Sequence, residues 1–264
     1  MGRDLASGHR VGLMGTALVT GASAGLGEEF AWQLATAKHD VVLVARDEAR
    51  LERLADELRA YAGVRAEVLP ADLSVRSDLE RVADRLRQEE QPVGLLVNNA
   101  GYTTHQRFVT GDIEAEETML DVLVRAVMVL SRAAAEPMVE RGRGAILNVS
   151  SVAALTAGGT YAAAKAWVRT FTEGLAVELD GTGVTATALC PGLTRTEFHE
   201  RAGFRRVGPD VAWLDADRVV AQALADVRRG VVISTPSVRY AVASALLQVT
   251  PRTAVRALQA RSGL

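Results

Sequence analysis

Tyr161 and Lys165 stand four residues apart in Tyr161-Ala-Ala-Ala-Lys165, a spacing that on a helix sets a phenol and an ammonium on one face. A phenol titrates near pH 10 in water and exchanges protons poorly at neutrality. A cation held nearby favours the phenolate and lowers that value. The pair therefore predicts a tuned acid, able to protonate a carbonyl oxygen or to take a proton from an alcohol. Composition singles it out further, because Lys38 and Lys165 are the only lysines among 30 basic residues. The plain alternative is a helix pair whose lysine lies along the surface, and the other motifs of the chain weigh against it.

A second pattern is Gly21-Ala-Ser-Ala-Gly25-Leu-Gly27, between a short apolar strand at 16–20 and a helical run at 28–37. Gly21 permits a tight turn, Gly25 lets backbone amides approach a phosphate, and Gly27 lets the helix pack close to the strand. A pyrophosphate then sits on the helix N-terminus, where free N–H groups and the dipole favour an anion. The spacing G-x-x-x-G-x-G departs from the G-x-G-x-x-G fingerprint, so this turn needs support from elsewhere. The next strand, 40–45, ends in Ala45-Arg46. An acidic residue there would bind a ribose hydroxyl and repel a 2′-phosphate, whereas Arg46 can pair with that phosphate. This predicts NADP rather than NAD. Asp47 is either the partner of Arg46 or the N-cap of the polar helix at 48–61.

These residues need a scaffold, and the apolar pattern supplies one. Strands are expected at 16–20, 40–45, 66–69, 93–97, 145–149, 184–189 and 231–234, alternating with helices at 48–61, 77–89, 116–139, 161–179 and 215–229. That rhythm predicts an α/β fold, a doubly wound parallel sheet of about seven strands with helices on both faces. Ligands bind such sheets at the C-terminal strand edge, where Asn98-Asn99-Ala100-Gly101, Ser150-Ser151 and Cys190-Pro-Gly192 fall. Asp72 either caps the start of the third helix or meets an adenine amino group. The helix at 116–139 is apolar on most of its circumference, which predicts burial against the sheet and a partner subunit, and hence a homodimer or homotetramer.

A length of 264 residues suits a single domain over 1–264, with 1–13 as a flexible extension, 198–214 as a substrate lid and 238–264 as a C-terminal helical segment. Phe198, Phe204, Val207 and Trp213 predict a partly apolar pocket wall. His105, Arg107, His199, Glu200 and Arg201 read as solvated loop residues near the site's mouth, with substrate contact as the alternative, and no metal-ligand spacing is present. A net charge of −2 gives no basic excess for nucleic acid. Residues 1–13 lack the apolar core of a signal peptide, no stretch reaches spanning length, and Cys190 is the sole cysteine, all of which predicts the cytoplasm. The last helix, opened by Thr250-Pro251, is expected to close the subunit or a dimer contact, with membrane-surface attachment as the alternative.

Taken in order, the glycine turn, Asn-Asn-Ala-Gly, Ser-Ser, Tyr-x-x-x-Lys and Pro-Gly-x-x-x-Thr resemble the short-chain dehydrogenase/reductase family over residues 16–198. The resemblance implies a Rossmann-type fold and an NADP-dependent oxidoreductase interconverting a carbonyl and a secondary alcohol of a small molecule. It implies Tyr161 as catalytic acid/base, Lys165 as the residue that lowers its pKa and holds the nicotinamide ribose, and Ser151 as the hydroxyl that orients the substrate oxygen. Gly21, Ser23, Gly25 and Leu26 would line the pyrophosphate and ribose, Arg46 the 2′-phosphate, and Asp72 and Leu73 the adenine. Asn99 and Gly101 would pass beneath the nucleotide, Thr194 would bind the carboxamide through its backbone, and Thr196 a phosphate oxygen.

Two departures accompany the resemblance. Leu123 stands where family members carry a helix asparagine that holds a proton-relay water, and leucine can neither donate nor accept. The gap from Ser151 to Tyr161 is shorter than most members show, so Ser150 is the fallback hydroxyl. A dinucleotide-binding sensor with impaired catalysis is the rival expectation.

Overall fold

The valine- and leucine-rich runs form strands buried on both faces, as a parallel sheet covered on two sides requires. The computed structural model describes residues 15–197 and 210–262. The expected extension at 1–13 and most of the expected lid, with Phe198, His199, Glu200, Arg201, Phe204 and Val207, lie outside the described residues. Six strands come first in the chain: β1 (Thr16–Thr20), β2 (Asp40–Ala45), β3 (Ala66–Pro70), β4 (Val93–Asn98), β5 (Gly144–Val149) and β6 (Val184–Leu189). A short ribbon, β7 (Thr194–Arg195) with β8 (Leu214–Asp215), precedes the last strand, β9 (Ile233–Ser234). The seven-stranded sheet is parallel throughout, in the order β3-β2-β1-β4-β5-β6-β9. That order reverses direction between β1 and β4, which opens a crevice at their C-terminal ends.

Alternation along each strand divides the core. Ala17, Val19 and Leu43 face α1 (Gly25–Thr36), α2 (Glu48–Ala62) and α7 (Ala216–Arg228) on one side. Leu18, Val42 and Ile146 belong to the other side, with α3 (Arg76–Arg87), α5 (Ala126–Glu140) and α6 (Gly159–Glu178). The expected long helix is interrupted. It begins as α4 (Ile113–Leu120), capped by Asp112, passes through a π-type turn at Asp121–Arg125, and continues as α5.

A group of buried polar side chains is paired inside this core and locks together the elements that carry the motifs. Asn98, one residue past the expected end of the strand, is the buried last residue of β4 and donates to Asn148 Oδ1 at 2.8 Å and Ser131 Oγ at 3.2 Å. Asn148 in turn donates to Thr172 Oγ1 at 3.0 Å. A satisfied chain of this kind fixes β4, β5, α5 and α6 in one arrangement.

Two C-terminal helices, α8 (Val238–Val249) and α9 (Arg252–Ser262), pack against the strand-end loops. The Tyr240 ring covers Gly192 so closely that a Cβ there would lie 2.2 Å from it. Its hydroxyl donates to Ala212 O at 2.8 Å and accepts from Leu193 N at 3.2 Å. Arg252 donates to Leu155 O at 2.9 Å and Thr156 O at 3.2 Å. Among the described residues, no helix is long and apolar enough to cross a membrane.

Candidate active site

The glycine turn leaves β1 and enters α1 with its backbone bared. Gly21 and Gly25 adopt φ of +66° and +60°, in the left-handed region that costs glycine nothing. A Cβ at Gly27 would lie 2.1 Å from Gly21 O, so the helix and turn approach as only glycine allows. α1 has no side-chain cap at Ala24, which leaves its first amides for an anion. Asn99 holds the turn in place, donating from Nδ2 to Thr20 O at 2.9 Å and Gly21 O at 3.3 Å. Thr196 closes the other side, its Cβ 3.2 Å from where a Cβ on Gly25 would lie. Ser23 and Leu26 are partly buried on the same turn. This cradle fits a dinucleotide pyrophosphate on the chemistry of its donors alone.

At the end of β2, Arg46 is 76% exposed and its Nη1 lies 3.9 Å from Asp72 Oδ2. Asp47 is the N-cap of α2, accepting from Arg50 N at 3.0 Å, rather than the partner of Arg46. Asp72 accepts from Ser74 N and Ser74 Oγ at 3.0 and 2.6 Å, which makes it a turn-forming residue as well. Leu73 is buried in the core with Leu79 and Val82, so only its backbone is left to meet a ligand. A link the sequence did not disclose is Arg50 Nη1 donating to Glu197 Oε2 at 3.1 Å, which ties α2 to the chain just after Thr196. No spacing rule connects residues so far apart.

Ser151, Tyr161 and Lys165 come together at the ends of β5 and the start of α6. A turn at Val152–Leu155, capped by Ser151 Oγ accepting from Ala153 N at 3.1 Å, returns the chain so that Tyr161 falls in the first turn of α6. The Ser151 hydroxyl is close enough to the Tyr161 phenol to favour its phenolate. Ser150, the fallback, is instead buried and donates to Lys165 O at 2.7 Å. Lys165 Nζ lies 5.8 Å from the Tyr161 ring centroid and donates to Val149 O at 2.7 Å.

The electrostatics correct the expectation drawn from spacing. Burial pushes the Tyr161 phenol up to about 12, partly offset by the Ser151 hydroxyl, rather than down. Burial also lowers the Lys165 ammonium to about 8. Desolvation of the phenolate outweighs an ammonium that is itself tied to a carbonyl. Leu123, at the π-type turn, packs against Gly101 near Lys165: a Cβ on Gly101 would lie 2.8 Å from Leu123 Cδ2 and 3.5 Å from Lys165 Nζ. Thr194 is buried in the ribbon and donates from Oγ1 to Gly192 O at 3.0 Å, so only its backbone is free to meet a carboxamide. Trp213, the described part of the expected apolar wall, is buried beside the ribbon. Among the described residues, no group of three or more His, Cys, Asp or Glu is placed to hold a metal ion.

A model of the short chain dehydrogenase family matches residues 15–204. A short chain dehydrogenase of Pseudocercospora fijiensis is 38% identical over 188 residues, covering 69% of this chain and 60% of that protein, so less than two thirds of this relative is spanned. Sulfoacetaldehyde reductase 2 of Chromohalobacter salexigens is 34% identical over 215 residues, 79% of this chain and 84% of that protein. Among solved structures, the short-chain dehydrogenase from Sphingobium yanoikuyae in complex with NADPH superposes with a TM-score of 0.83 at 36% identity, over 94% of this chain and 96% of that one. The bulky-bulky ketone specific alcohol dehydrogenase from Comamonas testosteroni gives 0.79 at 31% identity, over 95% and 93%. A match that runs from the first strand past β7, on the same fold, means that the chain belongs to the short-chain dehydrogenase/reductase family, whose members are NAD(P)-dependent oxidoreductases.

Proposed function

We propose that the protein interconverts a carbonyl and a secondary alcohol with NADP, Tyr161 giving the proton in the direction of reduction. The observation that carries this reading is the Tyr161 phenol set beside the Ser151 hydroxyl, one helical turn from a buried ammonium and at the same strand edge as the glycine cradle. When bound, the nicotinamide supplies or accepts the hydride. Tyr161, kept protonated by burial, donates to the carbonyl oxygen as the carbon takes that hydride. Ser151 Oγ is the second donor to the oxygen, and Lys165 stabilises the phenolate left behind. Arg46, following Ala45, supports a 2′-phosphate, as does the NADPH held by the Sphingobium yanoikuyae relative. Trp213 and the ketone specificity of the Comamonas testosteroni enzyme support a partly apolar ketone or aldehyde.

We take residues 1–264 as one domain acting in the cytoplasm, a reducing compartment that suits the lone buried Cys190. Exposed Leu120, Met128 and Val139 along α4 and α5, with Val177 on α6, support a homodimer or homotetramer. Leu123 beside Lys165 favours a second reading, a dinucleotide-binding sensor; NADPH binding without oxidation across a panel of ketones and aldehydes selects it. The direct test is Tyr161→Phe, expected to lose about a hundredfold or more in turnover while still binding NADPH. A variant that keeps most of its turnover overturns the assignment.

A further inference from the structure

Residues 227–264 hold six arginines and no acidic residue, although the whole chain carries 32 acids against 30 bases. Four of the six arginines, Arg239, Arg252, Arg256 and Arg261, are on α8 and α9, while Arg229 at the end of α7 is paired with Asp226. Between Arg239 and Arg252, α8 has no charged side chain at all. Its Val238, Val242, Leu246 and Val249 are 80%, 55%, 61% and 80% exposed, and their spacing of four, four and three places them on one face. The opposite side carries Tyr240 and Ser244, through which the helix is anchored. An apolar stripe thus points outward. Leu258 on α9 adds a further exposed apolar side chain, 65% accessible.

The arginines that flank the stripe keep their charge uncompensated. Arg239 donates to Val211 O, and Arg252 to Leu155 O and Thr156 O. Among the described residues, neither they nor the exposed Arg256 has a carboxylate partner. A second copy is a poor occupant, because a two-fold contact sets this face against itself and brings arginines together with no acid between them. An anionic bilayer surface supplies both missing complements, negative headgroups for the arginines and an acyl boundary for the valines and leucine. Helices of 12 and 11 residues are far too short to span. From this combination we propose that α8 and α9 form a peripheral docking face for anionic lipid membranes. The proposal stands apart from the catalytic reading, and its test does not use turnover.

Co-sedimentation of the full chain with vesicles decides it. Phosphatidylcholine vesicles are compared with vesicles in which about a third of the lipid is phosphatidylglycerol, at low and high salt. The expected result is binding to the anionic vesicles at least roughly tenfold tighter than to phosphatidylcholine alone, weakened by salt. Arg256→Gln is expected to weaken it about fivefold. Val242→Ser with Leu246→Ser should abolish it, and an unchanged circular dichroism melt keeps that loss from being misfolding. Three outcomes overturn the proposal: no vesicle binding, equal binding to both lipids, or full binding by the double variant. If the parent is a dimer that the serine variant dissociates, and vesicles are not bound, a second copy covers the face and the proposal fails.

Discussion

Lys165 is 5% exposed and carries its ammonium into a site that penalises charge, which is why its pKa falls to about 8. Below that value both the folded and the unfolded chain hold the proton, and the folded form bears the desolvation cost. Between about 8 and 10.5 the unfolded chain binds more protons, so this group's contribution to stability rises with pH. Lys165→Met removes the cost. Relative to the parent, it should therefore be more favourable at pH 7 than at pH 10, by up to about 3 kcal/mol, read by urea unfolding at the two pH values. Turnover should be lost at both. In the parent, reduction should fall off as pH rises through about 8, where Lys165 loses its charge. Arg46→Ala is expected to weaken NADPH about tenfold or more, with little effect on NADH, in paired titrations. That Tyr161, Lys165 and Ser151 would come together was legible from spacing and order. The direction of the Tyr161 shift was not, because spacing states which groups are neighbours and says nothing about how much water surrounds them.

At the scale of elements, the glycines give the sharpest contrast. Gly27→Ala drives a Cβ to 2.1 Å from a backbone oxygen that cannot step aside, and should cost roughly 3 kcal/mol and most of the NADPH affinity. A Cβ on Gly174, within α6, would meet nothing within 4 Å, so Gly174→Ala should stabilise by about 1 kcal/mol through helix propensity alone. Thermal melts of the pair check both signs. The main strands were readable because unbroken valine and leucine runs end at turn residues. The π-type turn at Asp121–Arg125 was not, since a helix that is apolar nearly all round loses no visible period when one residue is inserted. Strands β7 and β8 have two residues each, too few to show alternation, and their pairing is a matter of tertiary contact.

For the whole molecule, charge and greasy surface are distributed unevenly. Every acid lies at or before Asp226, while the C-terminal helices are wholly basic. Exposed Met128 and its neighbours on α4 and α5 form a separate apolar surface. Met128→Glu should lower the oligomeric state in sedimentation velocity without lowering the melting temperature of the subunit, because the side chain is already 47% exposed.

The ribbon has a bearing on engineering. Thr194 pairs with Leu214, Arg195 with Asp215, and Arg195 Nη1 adds a 2.7 Å bond to Asp215 Oδ1, so the two ends of the intervening stretch are clamped side by side. Exchange of residues 198–209 as a cassette is accordingly expected to be tolerated when Thr196 and Glu197 are kept for their contacts with Gly25 and Arg50, and doubling the length of the cassette adds only about 0.6 kcal/mol of closure entropy. On the proposed function, grafts taken from relatives between Glu197 and Asp210 are expected to alter substrate choice while leaving Tyr161 and Lys165 in place.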